Sequence, residues 1–188
     1  MKMWSSIKLM IISAGVTLLG LFPAAGGEMT IAHDFEFKTI EGGVLPLQSF
    51  NGKAVLIVNT ASFCGFTPQY EGLEALWQQR REEGLVVLGV PSGDFGDHEY
   101  GENDEIRDFC TTSFNIDFPL TARQSVRGEK AHPFYKWARD ELGPDQAPKW
   151  NFHKYLVGPH GELLASFPSA VKPDDEKLQK AITAALAR

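Results

Sequence analysis

Cysteine is nearly missing from this chain of 188 residues, which has two, Cys64 and Cys110. Two thiols allow one disulfide at most, either a permanent staple or a pair that cycles between thiol and disulfide. Clusters of Lys and Arg are missing too, which argues against nucleic-acid binding. His33, His98, His132, His153 and His160 are not spaced as a metal set, so neither a metal nor another cofactor is expected. No internal repeat, low-complexity stretch or linker divides residues 28–188, which are expected to form one domain. Acidic residues are absent before Glu28.

That last gap coincides with a leader. Lys2 and Lys8 precede an apolar run from Leu9 to Phe22, followed by the small residues Pro23-Ala24-Ala25-Gly26-Gly27. The expectation is a secretory signal peptide over residues 1–27 and an exported protein, periplasmic or secreted. The run is shorter than the ~20 residues of a spanning helix and contains Ser13, Gly15 and Thr17, which argues against stable membrane insertion. No cysteine stands near its end to carry a lipid. Two of the 18 basic residues belong to the leader, so 16 face 24 acidic ones in the remainder, a net charge of −8. That charge bears on solubility more than on function. With 43% hydrophobic and 22% charged residues, the chain suits a soluble domain with a substantial core.

The apolar pattern alternates strands with helices. Phe35–Phe37 and Val44–Leu47 read as short strands around Glu41-Gly42-Gly43, with Pro46 at a sheet edge. Val55–Val58 and Leu85–Val90 read as buried strands. Between them a helix is expected with Thr67 as N-cap, Pro68 as its first residue and Gly84 as its stop. A short helix over 104–110 carries Ile106, Phe109 and Cys110, and another opens at Pro133. Tyr155–Val157 and Leu163–Ala165 flank a hairpin turn, and a last helix follows Pro173. This order predicts an α/β three-layer sandwich around a central mixed sheet flanked by helices.

Cys64 lies on the turn between a buried strand and a helix, where the positive end of the helix dipole favours an exposed thiolate. A dithiol oxidoreductase would place a second cysteine at position 67, and here that residue is Thr67. A lone thiolate awaits an external oxidant. A peroxide is the natural one, since attack on its O–O bond yields a sulfenic acid. The departing oxygen then needs a proton or a hydrogen-bond donor.

Residues 59–70, Asn-Thr-Ala-Ser-Phe-Cys-Gly-Phe-Thr-Pro-Gln-Tyr, closely resemble the nucleophile motif of the glutathione peroxidase family. The resemblance continues through Gly89–Gly96, Glu105-Ile106, Phe118-Pro119, Ala131–Tyr135 and Trp150–Val157. It implies a thioredoxin-like fold, Cys64 as peroxidatic nucleophile, and Trp150 and Asn151 as uncharged donors near the sulfur. Cys110 matches the resolving cysteine of thioredoxin-dependent members. It would condense with oxidised Cys64, and the helix that carries it would unwind to let it do so. Asp94 departs from the pattern, because the family usually has Gln there. One reading is that Asp94 lines the site, that its charge disfavours the thiolate, and that Asp94→Gln speeds turnover; the other is a merely structural loop residue. Lys154 and Arg123 read either as cations bordering the site that attract an acidic thiol or, in preference, as solvated surface residues, and His132 as structural.

The implied activity is a thiol peroxidase that reduces hydrogen peroxide and organic hydroperoxides. A thioredoxin-like protein, or else glutathione, would return it to the thiol state. The short segment from Ala131 to Trp150 implies a monomer. The rival readings are an exported thiol-disulfide oxidoreductase and a catalytically weakened binding or stress module on the same fold.

Overall fold

The computed structural model describes Met1 and residues 29–188. The expected leader lies outside the described residues. Among these, no helix is long and apolar enough to cross a membrane.

Seven consecutive buried residues make β3 (Ala54–Thr60), and seven more make β4 (Leu85–Pro91). The two run parallel, joined through α1 (Gln69–Arg80). Gly84 ends the connection in a left-handed conformation (φ +98°), which an L side chain rarely adopts. β5 (Lys154–Val157) pairs antiparallel with the other edge of β3, and β6 (Leu163–Phe167) with β5. The sheet order is therefore β4-β3-β5-β6, a mixed sheet. A separate hairpin, β1 (Glu36–Lys38) with β2 (Val44–Pro46), lies outside it.

Alternation along β3 divides the core in two. Ala54, Leu56 and Val58 face one cluster, with Tyr70, Leu73 and Leu76 of α1. The same cluster takes Ile106 and Cys110 from α2 (Asn103–Phe114) and Leu178 and Ile182 from α4 (Glu176–Leu186). Val55 and Ile57 face the other cluster, with Phe134 and Ala138 of α3 (Pro133–Leu142) and Phe37 of the hairpin. The three-layer α/β sandwich expected from the sequence is thus the observed fold.

Element ends differ from expectation where side chains choose other partners. α2 runs to Phe114 rather than Cys110, with Glu102 as N-cap in a capping box with Glu105 and Asn115 closing it at φ +52°. Cys110 therefore sits well inside a helix and not at its end. α4 starts at Glu176, where the Asp175 carboxylate accepts from Lys177 N at 2.8 Å. Phe118-Pro119-Leu120 joins no full strand. Leu120 bridges to Gly89, where a Cβ would lie 2.5 Å from the Leu120 side chain.

Candidate active site

Residues 61–68 turn the chain from β3 into α1 and carry Cys64. Thr67 was expected to cap the helix, but it braces the turn. Its Oγ1 accepts from Cys64 N at 2.9 Å and donates to the Ala61 carbonyl at 2.8 Å. Pro68 takes the cap position and Gln69 is the first helical residue. Thr67 N bonds to Cys64 O, Gln69 N to Phe66 O and Tyr70 N to Thr67 O, a run of i→i−3 turns that leads into α1. Within it Phe66 N donates to Cys64 Sγ at 3.4 Å, so a backbone amide at the helix head faces the sulfur. The thiol is less open than expected. Cys64 is 7% exposed, set between exposed Phe63 and Gly65.

A second turn presents Trp150 and Asn151. Phe152 adopts φ +64°, a conformation that strains a side chain of this size. Asn59, at the end of β3, clamps the turn. Its carbonyl accepts from Phe152 N (2.6 Å), its amide N donates to His153 O (3.2 Å), and its Nδ2 donates to Trp150 O (3.2 Å). Asn151 is fully buried, yet neither atom of its side-chain amide has a partner in the protein. An orphaned buried amide is unfavourable by about 1–3 kcal/mol, and such groups mark places where something else binds. Trp150 stays 41% exposed, its ring 5.9 Å from Phe95 and 5.8 Å from His98.

Cys110 lies wholly inside the cluster that also holds Cys64. Both are free thiols. Burial pushes the Cys110 thiol up to about 11, with the nearby Tyr70 hydroxyl opposing that shift. It is therefore held protonated in the folded state.

Asp94 is tied to a neighbouring loop. Its carboxylate accepts from Ser125 Oγ (3.0 Å), Val126 N (2.6 Å) and Arg127 N (3.1 Å). None of its hydrogen bonds goes to Cys64, Trp150 or Asn151, although the next residue, Phe95, packs on Trp150. Arg123 keeps its expected surface place, pairing with Asp97 at 3.4 Å and covering Gly93. His132 caps α3, its Nδ1 accepting from Phe134 N, and stacks on Phe37.

Several polar residues near the site were not singled out by sequence. Glu99, 4% exposed, accepts from Ser62 Oγ and from Tyr100 N, while its Oε2 has no partner. Burial raises its pKa despite the bonds from Ser62 and Tyr100. Lys154 is a correction. It is fully buried on β5, where burial pulls its pKa down to about 7. The sequence signals for Asn59 were a polar residue closing an apolar strand and its place at the start of the motif 59–70, with no role attached, and for Glu99 there was none.

The chain is similar to known proteins in sequence and in fold. Residues 32–139 match the family model described as glutathione peroxidase, a span that holds Cys64, Asp94 and Cys110 and stops short of Trp150. The chain is 40% identical over 149 residues to the glutathione peroxidase-like peroxiredoxin gpx1 of Schizosaccharomyces pombe, covering 78% of this chain and 94% of that one. It is 41% identical over 151 residues to the hydroperoxy fatty acid reductase gpx1 of Synechocystis, covering 76% and 89%. Among solved structures, Trgpx in its apo form superposes with a TM-score of 0.69 at 34% identity, covering 86% of this chain and 98% of that one. A thiol:disulfide interchange protein of the thioredoxin family from Chlorobium tepidum aligns at TM-score 0.63 over 86% of this chain and 99% of that one. At 15% identity that likeness concerns the fold alone.

Proposed function

This chain belongs to the glutathione peroxidase family, and from that premise we propose that its chemistry runs through Cys64, with Trp150 and Asn151 as donors and Cys110 as resolving thiol. The protein is a thiol peroxidase that reduces hydroperoxides. The observation that carries the residue assignment is the pairing of two turns. In one, Cys64 Sγ accepts from a backbone amide at the head of α1. In the other, clamped to the end of the same strand, the amide of Asn151 is buried with no protein partner.

The thiolate of Cys64 attacks the terminal oxygen of hydrogen peroxide or an organic hydroperoxide. An S–O bond forms, the O–O bond breaks, and the departing oxygen takes from water the proton that the Cys64 thiol gave up on ionising, leaving as water or alcohol. The donors of Trp150 and Asn151 stabilise the charge that develops on it. Cys110 then attacks the sulfenic sulfur. Its thiol proton leaves with the hydroxide as water, and a Cys64–Cys110 disulfide remains. A thioredoxin-like dithiol reduces that bond. Glutathione is the less favoured donor, because Cys110 supplies resolution from within. Export rests on the composition of residues 1–27. A monomer rests on the segment between Ala131 and Trp150, which α3 and the short turn Pro144–Gln146 largely fill.

Mass spectrometry after one equivalent of peroxide tests the scheme. Wild type should lose two thiols to one disulfide, and Cys110→Ser should hold Cys64 as sulfenic acid, with sulfinic acid following only when a second equivalent is added. Cys64→Ser should consume no peroxide above background. Sustained turnover of Cys110→Ser with a thioredoxin-like donor would remove Cys110 from the cycle.

A further inference from the structure

A buried lysine that these steps do not use stands where the two site turns meet. Lys154 opens β5 and has no exposed surface. Its ammonium donates to Gln69 Oε1 at 2.8 Å and to the Phe152 carbonyl at 2.7 Å. Neither acceptor is charged, and Lys154 forms no ion pair among the described residues. A buried ammonium without a counter-ion is unfavourable, and an apolar residue would serve the core better. The position therefore asks for a reason other than stability.

Its two acceptors supply one. Phe152 closes the strained turn that presents Trp150 and Asn151. Gln69 opens α1. Its amide N bonds to the carbonyl of Phe66, whose own amide faces Cys64 Sγ, and its Nε2 donates to Ser169 O at 2.7 Å. One cation thus joins the turn that bears the donors to the helix head that bears the thiol. We propose that Lys154 is a positioning residue, which holds the Trp150-Asn151 turn in register with the Cys64 turn so that the donors meet the departing peroxide oxygen. The inference rests on Cys64 being the peroxidatic thiol.

Two electrophiles separate this role from plain packing. Peroxide needs the thiolate and also donors for the leaving oxygen, and a displacement near 1 Å is enough to lose about a hundredfold in rate. Iodoacetamide needs the thiolate alone, because iodide leaves unaided. Both rate constants are measured in a Cys110→Ser background, where Cys64 is the single thiol, for Lys154→Met, Gln69→Met and the double variant. The peroxide rate should fall about tenfold or more in each single variant. The iodoacetamide rate should stay within about twofold, and the double variant should be no slower than the slower single one.

An unchanged peroxide rate in folded Lys154→Met overturns the proposal. So do equal losses toward both reagents, or losses that add in the double variant. If Lys154→Met does not fold, Gln69→Met decides by the same two rates. Failure of the underlying reading looks different, because Cys64 would then resist peroxide in the Cys110→Ser background before Lys154 is touched.

Discussion

At the scale of single residues, the distinction that matters is between groups left free and groups already engaged. Asn151 keeps a buried amide unpartnered, whereas Asp94 has its carboxylate fully occupied by Ser125, Val126 and Arg127. The structure therefore attaches a stability expectation to Asp94. Asp94→Ala should lower unfolding stability by about 1–3 kcal/mol, since three donors around one anion lose their acceptor. The readout is a lower urea midpoint at unchanged slope, and a loss under about 0.5 kcal/mol would leave those bonds without energetic weight. Cys64, Trp150 and Asn151 could be proposed from sequence because each lies in a short segment whose neighbours define it. Lys154 could not. A lysine in a sequence reads as exposed, and only the packing of α1 and the Phe152 turn over it decides otherwise.

Elements were legible in kind and less so in extent. Apolar runs and periodicity identified the four strands of the main sheet and the four α-helices of the described residues, because burial of one face is written locally. Ends depend on capping: Glu102 and Asp175 set the starts of α2 and α4, where the apolar pattern alone placed them at 104 and directly after Pro173. The longer α2 has a kinetic consequence. Cys110 is buried inside it, so the proposed disulfide requires the helix to open around that residue. Asn115 ends α2 at φ +52°, a conformation glycine adopts more readily. Asn115→Gly should tighten the helix by about 0.5–1 kcal/mol and slow Cys64–Cys110 bond formation by roughly two- to fivefold. Sulfenic acid formation should keep its rate. Stopped-flow fluorescence followed by acid quench resolves the two phases, and an unaltered second phase would mean that α2 does not limit resolution.

For the whole molecule, two of the buried titratable groups near the site set opposite trends with pH. The carboxyl of Glu99 has its folded pKa raised above the ordinary 4.5, so the folded state holds this proton more tightly than the unfolded chain. Its contribution is fully present below 4.5 and is lost as pH rises through the raised value. Lys154 behaves in the reverse sense. With a folded pKa near 7 against an ordinary 10.5, the unfolded chain binds more protons between those values, and stability is regained as pH climbs through that window. Urea midpoints should therefore move in favour of Glu99→Gln over wild type as pH rises above 4.5. Any penalty of wild type relative to Lys154→Met should shrink from about 7 toward 10.5. Parallel midpoint curves would refute both assignments. By itself the sequence determined the layered fold and singled out the proposed nucleophile with its companions, because apolar periodicity and contiguous motifs are properties of neighbours along the chain. Only the tertiary structure decided which polar groups lose water and which partners they find. Lys154 meets Gln69 across 85 positions and Asn59 meets Trp150 across 91, and desolvation at that separation is set by packing.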